Sequence, residues 1–257
     1  MKHEQRHLIT RDVVIWFLEH ARITGENLAS YPITFSSLCT MIGGTFQIAI
    51  QRIEGLEIDK VTATLKRLQL PFEEEVLDRY SALAGFLYAY HGGGIIFIEE
   101  TDPEERRKFS LAHELGHFIN DYYKPVHLKY ENNNTIPLFQ EEETAQSRQV
   151  VSARCTKRDI FGADEPELAE INNKENEQLL IELRREQKEK FKEIKANFFA
   201  AELLLPMEDC KRIEHEYEGA SQGELTVALM KRFGVSRSAA IIRIEDLRLG
   251  VMEKRLF

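Results

Sequence analysis

The chain reads as an α+β protein, mostly helical, with a short β-sheet packed beside two long helices. Three observations lead there. In several stretches apolar side chains recur every three or four residues, the spacing of helices with one buried face. The run Ile95 to Ile98 is continuously apolar and largely β-branched or aromatic, as a buried strand requires. Hydrophobic residues make up 43% and charged residues 30%, the balance of a chain that builds a core rather than remaining disordered.

Taken in order, Asp12 to Ala21 carries Val13, Val14, Trp16, Phe17 and Leu18 and predicts an amphipathic helix, with Gly25 and Asn27 beyond its end. Tyr31 to Glu57 is mixed. Gly43 and Gly44 interrupt it, and Phe46 to Ile53 is compatible with helix or strand. Val61, Leu65 and Leu68 place a helix over Ile58 to Leu70, closed by Pro71. Glu73 to Leu83 predicts a further helix, and Gly92, Gly93 and Gly94 a turn before the strand. Asp102 then serves as a cap, Pro103 fits the first helical position and Glu105 follows three residues after the cap. That helix should run to about Asp121, bury Phe109, Leu111, Ala112, Leu115 and Phe118, and stop before Pro125.

Tyr122 to Asp164 looks irregular, with an Asn132–Asn134 run and an acidic Glu141–Glu143 run, both expected of a solvated loop. From Asp164 and Pro166 a long charged helix carries Leu168, Ile171, Leu179, Leu180, Leu183, Phe191, Ile194 and Phe198. It continues into Ala196–Leu205 and ends at Pro206. A helical pair follows over Gln222–Phe233 and Ser236–Leu247. There is no internal repeat.

The formal net charge is −9. Phosphate backbones are bound by basic surfaces, so direct nucleic acid binding is not expected. Cys39, Cys155 and Cys210 are odd in number and widely spaced, which suits free thiols in a reducing compartment. The start, Met1 to Thr10, has no signal-peptide core, and no apolar run approaches the ~20 residues of a membrane helix. The expectation is a soluble, cytoplasmic protein.

Chemistry concentrates in His113-Glu114-Leu115-Gly116-His117. This is H-E-x-x-H inside a predicted helix, where residues four apart share a face, so both imidazoles can address one ion. Neutral imidazole suits zinc, and catalytic zinc sites use three protein ligands plus a water. Glu114 lies about 100° round the helix from His113, placed to reach the metal-bound water. Zinc lowers the pKa of that water to roughly 7, so a nearby carboxylate can take its proton. Downstream, Glu193 and Asn197 share a helix face. Glu193 can supply a third ligand, and Asn197 can accept the outer N–H of a ligand histidine. Taken alone, Glu193 is one of many glutamates in a charged helix, and a solvated face is the better reading of it.

Phe109-Ser110-Leu111-Ala112-His113-Glu114-Leu115-Gly116-His117, followed by Glu193-x-x-Ala196-Asn197-x-Phe199-Ala200-Ala201-Glu202-Leu203-Leu204-x-Pro206, resembles the ImmA/IrrE family of metallopeptidases. Gly94–Ile98 upstream, and Phe233-Gly234-Val235-Ser236 with Arg243 and Leu247 downstream, fit the same family. The resemblance covers roughly Ile58 to Gly250 with a gap. It implies a zincin-like core with one zinc per chain, held by His113, His117 and Glu193, with Glu114 as general base. Manganese or iron can fill the same donor set. It further implies a protein substrate, a helix-turn-helix transcriptional repressor cut at one or few sites, in stress responses or mobile elements. On this reading residues 1–57 are an N-terminal helical extension, 58–250 the peptidase domain and 251–257 a tail. Residues from about 122 to 190 form a charged, partly helical insertion. That insertion could be a lid, a recognition arm or an oligomerisation element, or simply a solvated segment packed on the core.

Two other features bear on function. Tyr122, Tyr123 and His127 follow the motif closely enough to be considered as donors to a tetrahedral oxyanion, but proximity in sequence is their only support. Leu225 to Leu247 resembles a helix-turn-helix, with Gly234-Val235-Ser236 as its turn and Arg232, Arg237 and Arg243 as basic residues. The alternative function is therefore a non-catalytic regulatory scaffold that binds a protein partner, or DNA, through this segment.

Overall fold

A computed structural model of the chain describes residues 3–23, 31–71, 82–90, 92–124, 151–156 and 177–250. Its elements are α1 (His3–Ile23), α2 (Phe35–Thr45), β1 (Ile48–Ile53), α3 (Ile58–Arg67), β2 (Leu83–Tyr90), β3 (Gly93–Glu99), α4 (Glu104–His117), a π-helical turn (Phe118–Tyr123), β4 (Val151–Thr156), α5 (Glu177–Leu204), α6 (Met207–Glu216), α7 (Gln222–Phe233) and α8 (Arg237–Leu247). The fold is α+β and mostly helical, as expected. Among the described residues no helix is long and apolar enough to cross a membrane.

The strands form one mixed sheet in the order β1-β3-β2-β4. β1 runs parallel to β3, with Ile50 opposite Ile96. β2 is antiparallel to both β3 and β4. Successive side chains of a strand point to opposite faces, and the sheet is covered on both. Phe86, Tyr88, Ile95 and Phe97 meet Ile58, Val61 and Leu65 of α3. Leu87, Ala89, Ile96 and Ile98 face the other way, into the large core built by α1, α2, α4 and α5. β1 precedes residue 57 yet pairs with β3 beyond it. Val13, Val14 and Phe17 of α1 and Leu38, Met41 and Ile42 of α2 enter the same core.

Several boundaries differ from expectation. Gly93 and Gly94 belong to β3 rather than to a turn, and Leu83, expected to end a helix, opens β2. The residues expected as the body of that helix, 73–81, lie outside those described. The undecided segment Phe46–Ile53 resolves as β1. β4 lies within the stretch expected to be irregular. Pro103, not Asp102, is the N-cap of α4, and Asp102 Oδ1 instead accepts from Arg106 Nη1 at 3.3 Å. α4 stops at His117 and passes into the π turn, which reaches Tyr123. Asp164 and Pro166, the expected helix start, lie outside the described residues, and α5 is described from Glu177. Helix α6 was not anticipated, because Pro206 was read only as a terminator, yet it is also the N-cap of α6.

α4 and α5 pack closely where Gly116 faces Ala196. A Cβ on Gly116 would stand 3.1 Å from Ala196 Cα, 3.2 Å from its carbonyl oxygen and 3.2 Å from Phe199 Cβ. At the end of β3, Glu99 is buried and ties the approach to α4 to the segment before α3. It accepts from Gly55 N, Leu56 N, Thr101 N and Thr101 Oγ1 at 2.6–3.1 Å. Burial pushes the Glu99 carboxyl up, but the bonds from Thr101, Leu56 and Gly55 outweigh it and hold the pKa at about 2.

A carboxyl held below its unfolded value of about 4.3 contributes stability that is complete above that pH and lost as pH falls toward 2. Glu99→Gln should therefore cost roughly 2 kcal/mol at neutral pH, and urea titrations should show the difference shrinking below about pH 4. An equal difference at pH 7 and pH 3 would contradict this. Replacing a helical glycine by alanine ordinarily gains about 1 kcal/mol. Gly116→Ala should gain none of it, because α5 must shift to admit the methyl. A melting midpoint raised by about 2–4 °C would show that α5 yields freely.

Candidate metal centre

The close approach of α4 and α5 brings His113, His117 and Glu193 together. One ligand atom from each lies within 4.8 Å of the others. His113 and His117 stand one turn apart on the buried face of α4, with their Nε2 atoms 3.1 Å apart. Glu193 reaches both from α5, with Oε2 3.2 Å from His113 Nε2 and Oε1 3.2 Å from His117 Nε2. The imidazoles are buried, whereas the Glu193 side chain is 27% exposed, so access from solvent is on its side.

Each outer ring nitrogen has a partner. His113 Nδ1 donates to Asn197 Oδ1 at 2.9 Å, one turn beyond Glu193 on α5. His117 Nδ1 donates to Asp121 Oδ2 at 2.9 Å. A carboxylate only accepts, so the His117 hydrogen sits on Nδ1, and with both rings neutral both Nε2 atoms present lone pairs. Two such lone pairs and a carboxylate, converging at 3.1–3.2 Å, repel one another unless positive charge lies among them. The spacing also suits a metal. Tetrahedral zinc with bonds of about 2.0–2.1 Å sets its ligand atoms roughly 3.3–3.4 Å apart. The group thus fits a metal cofactor in both donor chemistry and separation.

Without a metal, a proton held among these atoms supplies that positive charge. Burial pushes the Glu193 carboxyl up, but hydrogen bonds from both imidazoles outweigh it and hold the pKa at about 2. Burial pushes His113 down, and its bond to Glu193 only partly offsets that. Burial also acts downward on His117, but Asp121 and Glu193 outweigh it and raise the pKa to about 10.

Glu114 is fully buried beside the histidines and turns toward the sheet. Beneath it is Gly85 of β2, next to the irregularity in pairing with β4 between Leu83 and Gly85. A Cβ at position 85 would stand 2.7 Å from Glu114 Oε1 and 3.0 Å from its Cγ. The missing side chain is the space that the carboxylate occupies.

The sequence placed His113, Glu114, His117, Glu193 and Asn197 at one site, and the structure gathers all five. It adds Asp121 and Gly85, which sequence reasoning missed. Asp121 could have been found as a carboxylate four residues after a ligand-type histidine; Gly85 carried no signal. Of the other residues considered, Tyr122 is buried with its hydroxyl accepting from Gly92 N at 2.6 Å. Tyr123 packs against Trp16, Phe46 and Phe118, and His127 lies outside the described residues.

Against known proteins, no curated sequence matches the chain significantly. The family model of peptidase M78, described as the IrrE N-terminal-like domain, matches residues 68–166 and 166–245. The two pieces meet within the segment expected as an insertion and together span well over half the chain. With H-E-x-x-H on α4 and a downstream glutamate on α5 closing on it, the chain belongs to the ImmA/IrrE family of peptidases.

Proposed function

We propose that the protein is a zinc-dependent endopeptidase that cuts a peptide bond in a helix-turn-helix transcriptional repressor. The observation that carries this reading is the convergence of two imidazole nitrogens and one carboxylate beside a further buried carboxylate, Glu114. Structural zinc sites are usually closed by four ligands, often cysteines. Three ligands without cysteine leave a position for water or substrate. His113, His117 and Glu193 hold the ion, and Asn197 fixes the ring of His113. Zinc held there would supply Lewis acidity toward the scissile carbonyl and the attacking water; manganese or iron would suit the same donors. Glu114 takes the proton from the attacking water and hands it to the leaving amine. Gly85 keeps the room in which that carboxylate turns.

The repressor substrate and a role in stress-linked transcription rest on what members of this family act upon. A cytoplasmic location is supported by Cys39 and Cys210, which are free thiols. The proposed peptidase unit spans 58–250, with an insertion at about 122–190 and a tail at 251–257, and residues 1–57 add helices and the strand β1 to it. The competing scaffold reading loses one of its three basic residues. Arg243 is 1% exposed and bonds to Leu205 O, Glu202 and Asp246, so it is not presented to DNA.

Glu114→Gln tests the role of the base. Zinc content should match the parent, while proteolysis falls by at least about 100-fold, within the range general base catalysis supplies. Comparing new protein N-termini in cells expressing each form should reveal a few termini, within repressors, made by the parent alone. Identical sets of termini would remove Glu114 from the mechanism. Gly85→Ala should retain zinc and cut more slowly, since the added methyl displaces the Glu114 carboxylate; cutting at the parent rate would show that the carboxylate has other room.

A further inference from the structure

We propose that Asp121, carried on the π-helical turn after the second histidine, is a positioning residue that orients His117 and raises the affinity of the centre for a divalent cation. The inference rests on the metal-centre reading above. Two independent observations support it. First, Asp121 Oδ2 lies 2.9 Å from His117 Nδ1, and its side chain is only 12% exposed. Second, the backbone departs from the α-helix at this place. The π turn starts at Phe118, the residue after His117, and contains Asp121. π-helical residues are well under 1% of protein structure and concentrate at functional sites. Here the turn continues directly from α4, and its Phe118, Ile119 and Tyr122 are all buried. The carbonyl of Gly116 accepts the side-chain amide of Asn120 at 2.9 Å.

The two histidines are supported differently. His113 leans on a neutral amide oxygen, Asn197, and His117 on a carboxylate. A carboxylate behind a ligand imidazole fixes its tautomer and makes the inner nitrogen a better donor. It also adds charge. Glu193 in contact with the ion and Asp121 behind His117 together match the double positive charge of a divalent cation, while Glu114 remains outside the ligand set. Asp121 therefore contributes more to affinity than an amide in its place would.

The test uses full-length protein stripped of metal: parent, Asp121→Asn and Asp121→Ala. Zinc affinity is read by competition with a chelator, and melting is recorded with and without zinc. Asp121→Ala should raise the zinc Kd about 10–100-fold, equivalent to about 1.4–2.7 kcal/mol of lost binding. Asp121→Asn, which is isosteric and keeps an acceptor oxygen, should fall between it and the parent. The zinc-loaded melting midpoints should fall further than the metal-free ones, whereas a purely structural residue would lower both alike. Parent-like zinc affinity in both variants would overturn the proposal, as would a drop confined to the metal-free midpoint. A parent that takes up no zinc would overturn this proposal and the metal-centre reading together, whereas variants that match a zinc-binding parent would overturn this one alone.

Discussion

The approach of α4 to α5 at Gly116 and Ala196 is the contact on which the site depends. With no side chain at Gly116, the backbone of α5 comes within 3.2 Å of where a Cβ would stand. Helix axes ordinarily lie 8–10 Å apart, set by the side chains at the contact. A tight crossing here lets the short side chain of Glu193 span to both imidazoles and lets Asn197 reach His113. Phe17 of α1 packs against Phe199 from behind, and Phe46 against Phe118 and Tyr123 of the π turn. Residues of the N-terminal segment thus brace the metal-facing segments.

The far ends of both ligand-bearing helices are held by the C-terminal helices. Lys108 of α4 is buried and donates from Nζ to the carbonyls of Phe233 and Gly234 at 3.1 and 2.8 Å, placing its charge at the negative end of α7. Near the end of α5, Glu202 pairs with buried Arg243 of α8 and accepts from Met207 N. A buried ion pair is weak evidence for stability, but removing one partner strands the other charge. The pair that resembles a helix-turn-helix therefore acts as a clamp on α4 and α5. That explains why the family signature extends as far as Arg243, more than 40 residues beyond the last residue placed at the metal.

Much of the site was legible because its elements are local. His113 and His117 are related by one helical turn, and helical spacing alone puts them on one face. Glu193 was different: spacing showed that it shared a face with Asn197, but only the resemblance singled it out among the charged residues of α5. The sheet was harder to read. β2 is buried on both faces from Leu83 to Ala89, so it lacks the alternation that marks a half-buried strand. β4 is a short strand at the sheet edge within a charged stretch. Gly85 and Gly116 do their work by what they lack, and the space they leave is visible only once a neighbouring element fills it. Pro103 takes the cap position expected of Asp102, whose carboxylate accepts from Arg106.

In the proposed reading α4 and α5 together form an open three-ligand metal centre. Metal content of purified protein, parent beside Glu193→Ala, is the first test, because it needs no substrate and probes the ligand that, among the described residues, comes from outside α4. The parent should carry about one zinc per chain, as an open site of three ligands binds one ion, and the variant little. A parent that remains metal-free after zinc is supplied, or a variant that retains zinc as tightly as the parent, would contradict it.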